Sequence, residues 1–115
     1  MHSVCVVQIE HMDAIENLES IFSIDGVDAY FIGPYDLLAS MGLTGQLDHP
    51  DVVAAIQTVR NIASKYEKPG GLHIVEPNQK KLDEAIQSGF TFLAYSIDTM
   101  IIRNAYTNMI ASLSR

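Results

Sequence analysis

Short, nearly continuous apolar runs alternate along this chain with longer stretches whose apolar residues recur at helical spacing. The short runs predict four strands, at residues 4–10, 28–32, 71–75 and 90–97. Alternation in the first places Val4, Val6, Gln8 and Glu10 on one face and Cys5, Val7 and Ile9 on the other. Between the runs lie helical periods. Asp13, with Glu16 three residues on, opens one that carries Ile15, Leu18 and Phe22. Gly33-Pro34 stops the second strand, and a short helix is expected at 37–41. Asp48 is the expected N-cap of a helix with Pro50 in its first turn, running to about Tyr66. Pro77 opens a further helix, with Gly89 at its C′ position. Asp98 or Thr99 starts the last one, where Ile101, Ile102, Ala105, Tyr106, Met109 and Ile110 share a face.

Strands alternating with helices imply a parallel sheet with right-handed crossovers. Runs such as Tyr30-Phe31-Ile32 and Phe92-Leu93-Ala94-Tyr95 suit strands buried on both faces. The expected fold is α/β, a parallel (βα)4 unit forming one domain over residues 1–115. Four units are half of an eight-stranded TIM-like barrel, which typically needs about 250 residues. The chain therefore reads as such a half-barrel or as a small open α/β domain.

Composition narrows the function classes. With 48% hydrophobic residues the chain can fill a core. Its net charge is −7, and its seven basic residues are scattered, which argues against a nucleic-acid partner. No apolar stretch approaches the roughly 20 residues of a membrane span. Met1-His2-Ser3 leads almost directly into a strand without a basic leader, so a cytoplasmic protein is expected. The single Cys5 forms no internal disulfide and is expected to pack as a small core residue. Gly70-Gly71 lacks a dinucleotide-loop pattern, and there is no P-loop.

The chemistry concentrates at two strand ends. Glu10 closes the first strand, and Asp36 follows the second by way of Gly33-Pro34-Tyr35. In α/β sheets and barrels this edge is where ligands bind. Gln8 points the same way as Glu10, and polar groups at a barrel mouth need a ligand, ion or water as partner. Two carboxylates there form a candidate hard-cation site. Taken singly, Glu10 equally suits a surface ion pair, and Asp36 a helix cap.

The stretches Val-Gln-Ile-Glu, Gly26–Leu37 with its Gly-Pro-Tyr-Asp-Leu core, His49-Pro50 before a helix and Ser96-Ile97-Asp98 after the last strand resemble the HpcH/HpaI class II aldolases. The likeness is to the C-terminal half of their barrel. It implies a metal-dependent carbon–carbon lyase that splits 4-hydroxy-2-keto acids into pyruvate and an aldehyde. By it, Glu10 and Asp36 would hold Mg²⁺, Mn²⁺ or Co²⁺, and Gln8 would be a catalytic group beside the pyruvate. The backbone of Gly33, Pro34, Tyr35 and Asp36 would contact the substrate carboxylate, and Leu72 would form an apolar wall. Tyr35 stands where many relatives carry a small residue.

The resemblance also marks a gap. The family draws a catalytic histidine and an arginine from the other half of its barrel, and no residue here occupies those positions. His2, His11, His49 and His73 do not match. His11 alone is adjacent to the expected mouth, His49 suits a cap, and His73 suits a core position. Arg60 and Arg103 fall on helices. A half-barrel would expose sheet edges and apolar interior residues, so a homo-oligomer or a partner half-barrel is expected. The alternatives are a non-catalytic scaffold and an oxaloacetate decarboxylase, which needs less acid–base equipment.

Overall fold

The computed structural model describes residues 3–113, so His2 lies outside them. Four strands form one parallel sheet: β1 (Val6–Ile9), β2 (Ala29–Ile32), β3 (Gly70–Ile74) and β4 (Phe92–Tyr95). They lie side by side in chain order, β1-β2-β3-β4. Six helices accompany them: α1 (Met12–Glu16), α2 (Leu18–Phe22), α3 (Pro34–Ser40), α4 (Pro50–Lys65), α5 (Gln79–Gln87) and α6 (Asp98–Leu113). This is the expected α/β half-barrel. Among the described residues no helix is long and apolar enough to cross a membrane.

Register sorts the side chains into two layers. Ile9 pairs with Ile32, Ile32 with Leu72, and Leu72 with Leu93. These face the helices and meet Leu18, Phe22, Leu37 and Val59 in the core. Gln8, Phe31, Gly71 and Phe92 are likewise aligned and occupy the opposite, barrel-interior face. The Phe31 and Phe92 rings stack there, 5.8 Å apart. A Cβ on Gly71 would lie 2.5 Å from Phe31 Cδ2 and closer still to Phe92, so the stack requires glycine beneath it.

Several local expectations change. The helix expected from Asp13 is two short helices, and its cap is His11, whose Nδ1 accepts from the Asp13 N–H at 3.1 Å. Asn17 leaves helical geometry (φ −114°, ψ 15°), and its Nδ2 donates to the Asp13 carbonyl at 2.7 Å, a local bond that competes with helix continuation. His49, not Asp48, caps α4 in the same way, accepting from the Asp51 N–H at 3.2 Å. Gly33-Pro34 ends β2 but also starts α3: Pro34 fills the first turn, where no intrahelical N–H bond is lost. Asn78 caps α5 by accepting from the Lys81 N–H. Gly89 follows that helix at φ +89°, the left-handed C′ geometry expected of it.

Cys5 is exposed ahead of β1 rather than buried, with its N–H on Asp28 Oδ2 at 2.7 Å. Arg60 is half-buried: its guanidinium donates to the Ser88 carbonyl at the end of α5 and lies 5.5 Å over the Phe90 ring. Tyr95, at the end of a run that suits burial on both faces, is exposed, and so is Tyr106 on the shared apolar face of α6. The last helix buries none of its residues.

Candidate functional site

The C-terminal ends of β1 and β2 meet at a small constellation. The Gly33 N–H donates to the Ile9 carbonyl at 3.2 Å, extending the ladder one step beyond the strands. Gln8 Nε2 donates to Glu10 Oε2 at 2.7 Å. Both atoms sit against Gly33, where a Cβ would lie 2.8 Å from Gln8 Nε2 and 3.0 Å from Glu10 Oε2. The missing side chain is what leaves room for this pair.

Asp36 lies in the first turn of α3, exposed to solvent, and its carboxylate makes no bond to another described residue. The loop after Glu10 is tied to α3 through one hydroxyl. Ser40 Oγ accepts from the Met12 N–H at 3.1 Å and donates to the Leu37 carbonyl at 2.7 Å. That link sets the segment carrying Glu10 against the helix carrying Asp36. At the start of α3, no side chain caps the first-turn amides, which point away from the helix.

Tyr35 and Pro34 line a different space, a cavity of about 290 Å³ that also touches Leu72, Arg60 and Glu76. Burial, with a smaller contribution from the Glu76 carboxylate, raises the Tyr35 phenol above its usual pKa, so it stays protonated. Leu72 belongs to the helix-facing layer and is not brought together with Gln8 and Glu10. On β3 the interior face is taken by Gly71 and by Leu72's neighbour His73, whose ring lies 6.4 Å from that of Phe31. Strand parity carried this signal: Gly71 and His73 alternate with Leu72 and Ile74.

The donor set bears on a metal. Glu10 and Asp36 offer hard oxygen ligands, and no group of three or more His, Cys, Asp or Glu among the described residues is arranged to hold an ion. Glu10 spends one oxygen on Gln8, and a carboxylate keeps further lone pairs. Two carboxylates with open positions fit an ion such as Mg²⁺, which retains water and takes substrate oxygens, and do not resemble a closed structural site.

Fold and strand-end chemistry together define a half-barrel of the kind found in enzymes that work at the C-terminal edge of a parallel sheet. The family profile for HpcH/HpaI aldolase/citrate lyase matches residues 1–105, and the chain belongs to that family. It is 40% identical over 100 residues to a 5-keto-4-deoxy-D-glucarate aldolase of Escherichia coli O6:H1, covering 87% of this chain and 38% of that enzyme. An HpcH/HpaI aldolase structure from Desulfitobacterium hafniense superposes with a TM-score of 0.88 at 28% identity, over 96% of this chain and 42% of that one. A family protein from Burkholderia cenocepacia gives 0.87 at 25% identity, with the same two coverages of 96% and 42%. The chain thus spans well under half the length of these relatives.

Proposed function

We propose that this chain carries the metal-binding half of an aldolase acting on 4-hydroxy-2-keto acids, releasing pyruvate and an aldehyde. The observation that supports it best is the Gln8–Glu10 hydrogen bond set against side-chain-free Gly33, at the strand edge where the family does its chemistry. Glu10 and Asp36 would hold a divalent cation, Mg²⁺, Mn²⁺ or Co²⁺. When bound, such an ion supplies Lewis-acid stabilisation to charge developing on a keto oxygen. Gln8 orients Glu10 and lines the pyruvate position. The backbone from Gly33 to Asp36 receives the substrate carboxylate, with the first-turn amides of α3 as donors.

The remaining machinery comes from outside these residues. His11 and His49 both spend Nδ1 on capping helices, and Arg60 is committed to the end of α5. A second subunit or a complementary half-barrel would supply the acid–base groups and cover the interior face. The apolar side chains of α6, such as Ile101, Ile102 and Met109, are exposed and form a candidate contact with it. The scarcity of acid–base groups favours one second reading, decarboxylation of oxaloacetate, in which loss of CO₂ replaces deprotonation of a hydroxyl.

The test is exchange of pyruvate methyl protons for deuterium, followed by NMR on the purified chain with Mg²⁺. Exchange above the metal-only control, abolished by both Glu10→Gln and Asp36→Asn, is expected. Exchange that survives both substitutions would show that the site is elsewhere. Product analysis with oxaloacetate separates the two reactions.

A further inference from the structure

One interior group remains without a role. The β1–β2 and β2–β3 ladders end at the Ile9–Ile32–Leu72 row; one residue further along each chain stand Glu10, Gly33 and His73, which strand parity puts on the barrel-interior side, and His73 pairs onward with Ala94. Only Gly33 stands between the Glu10 and His73 strands, and it has no side chain. With about 4.8 Å between neighbouring strands, His73 sits two spacings, roughly 10 Å, from Glu10.

The imidazole is held in a defined state. His73 Nε2 lies 3.1 Å from the Ser96 carbonyl oxygen. A carbonyl only accepts, so Nε2 carries a proton, and in the Nε2–H tautomer Nδ1 is the ring's acceptor. Nδ1 has no hydrogen-bond partner among the described residues. Ser96 itself is buried and left-handed at φ +66°, a costly geometry for a residue with a Cβ. Its N–H donates to the Ile74 carbonyl at 2.7 Å, which anchors this residue beside β3, with its own carbonyl on His73. The Phe31 ring supports the imidazole from below. A ring held from two sides, with its free acceptor on the interior face, is suited to reading a donor on a bound molecule.

Building on the reading above, we propose that His73 is a specificity-determining residue. Its Nδ1 accepts a hydrogen bond from a hydroxyl on the aldehyde-derived end of the substrate, beyond the reacting carbons. The separation from Glu10 carries this assignment: a keto acid anchored at Glu10 and Asp36 reaches His73, two strands away, only with the far part of its chain. An apolar wall at this position would not discriminate hydroxylated from plain chains, whereas an acceptor left unpaired by a plain chain does.

Two keto acids without a C4 hydroxyl, and so not open to retro-aldol cleavage, serve as probes: 5-hydroxy-2-oxopentanoate and 2-oxopentanoate. Their affinities for the purified chain with Mg²⁺ are measured by NMR titration. The wild type should prefer the hydroxylated probe by about five- to tenfold, the worth of one net hydrogen bond. His73→Leu should bind both alike, while His73→Asn, which keeps an acceptor, should retain part of the preference. Imidazole ¹⁵N shifts, read on the wild type, should show the Nε2–H tautomer. An unchanged preference in His73→Leu, no preference in the wild type, or the Nδ1–H tautomer would overturn the assignment. If those results come while pyruvate methyl exchange persists, only His73 loses its role. If neither probe binds and exchange is absent, the keto-acid reading fails and the assignment with it.

Discussion

Replacing Gly33 by alanine should separate folding from function. Gly33 has φ −93° and ψ 90°, a region open to any L-residue, so no backbone strain arises. Alanine is a poorer N-cap than glycine by roughly 1 kcal/mol. It also restricts the unfolded chain, which returns about 0.4–1 kcal/mol. The net change in stability is therefore about 0–1 kcal/mol, a fall in Tm of at most about 4–8 °C for a domain of this size. At the site the new methyl meets Gln8 Nε2 at 2.8 Å and Glu10 Oε2 at 3.0 Å, both ends of movable side chains. Restoring ordinary contact moves them by roughly half an ångström and disturbs the Gln8–Glu10 hydrogen bond. A displacement approaching 1 Å in a reacting constellation costs on the order of 100-fold. Urea denaturation reads the first effect. Pyruvate methyl exchange, together with Mn²⁺ broadening of the Gln8 side-chain signals, reads the second. Unchanged exchange and unchanged Mn²⁺ broadening would refute the role given to this glycine.

The same chemical change at Gly70 should behave oppositely. A Cβ there would lie 2.9 Å from Tyr30 Cε1 and closer to its hydroxyl, and Tyr30, 4% exposed, has nowhere to go. Gly70→Ala should lose about 2–3 kcal/mol in urea denaturation. Arg60→Met removes the bond to the Ser88 carbonyl and the contact over Phe90, and should cost about 1–3 kcal/mol by the same measurement. Tyr66 donates to Glu19 at 2.6 Å and, with Lys65, holds that carboxyl below its ordinary pKa. A depressed carboxyl adds stability above its unfolded pKa and loses it as pH falls through the folded value. Tyr66→Phe should therefore raise the Glu19 midpoint in a carboxyl NMR titration and reduce the acid sensitivity of folding.

Strand number, strand direction and the alternation of layers were legible because period-two patterning in parallel strands is coupled to burial. The placement of Glu10 and Asp36 just beyond two adjacent strand ends was legible because the apolar runs stop immediately before them. Helix starts were less so. Asp13 and Asp48 fit the usual cap pattern, yet a histidine stands close by in each case, two residues before Asp13 and one after Asp48. Its Nδ1 accepts from the N–H two residues on, that of Asp13 or Asp51, and so takes the cap itself; the choice depends on loop geometry rather than residue type. The break at Asn17 was hidden because asparagine tolerates helix and competes with it equally well. On β3, the resemblance drew attention to Leu72 as the wall of the site. Only pairing with Ile32 on one side and Leu93 on the other fixes its parity and turns His73 inward.

The order β1-β2-β3-β4 carries a consequence for the path by which the chain folds. Val6 meets Ala29, and Gly71 meets Phe92, across one short crossover each, whereas Tyr30 meets Gly70 only after the whole of α3 and α4. Two βαβ pairs can thus form from nearby sequence before they join. Loop closure grows only logarithmically with length, so roughly doubling the span adds just about 0.6 kcal/mol of entropic cost. Joining also needs α4 in place, since Val59 and Ala63 belong to the same core as Tyr30 and Ile32 of β2 and Ile74 of β3. Substitutions in α4 should therefore slow refolding, and those confined to β1 or β4 should mainly hasten unfolding.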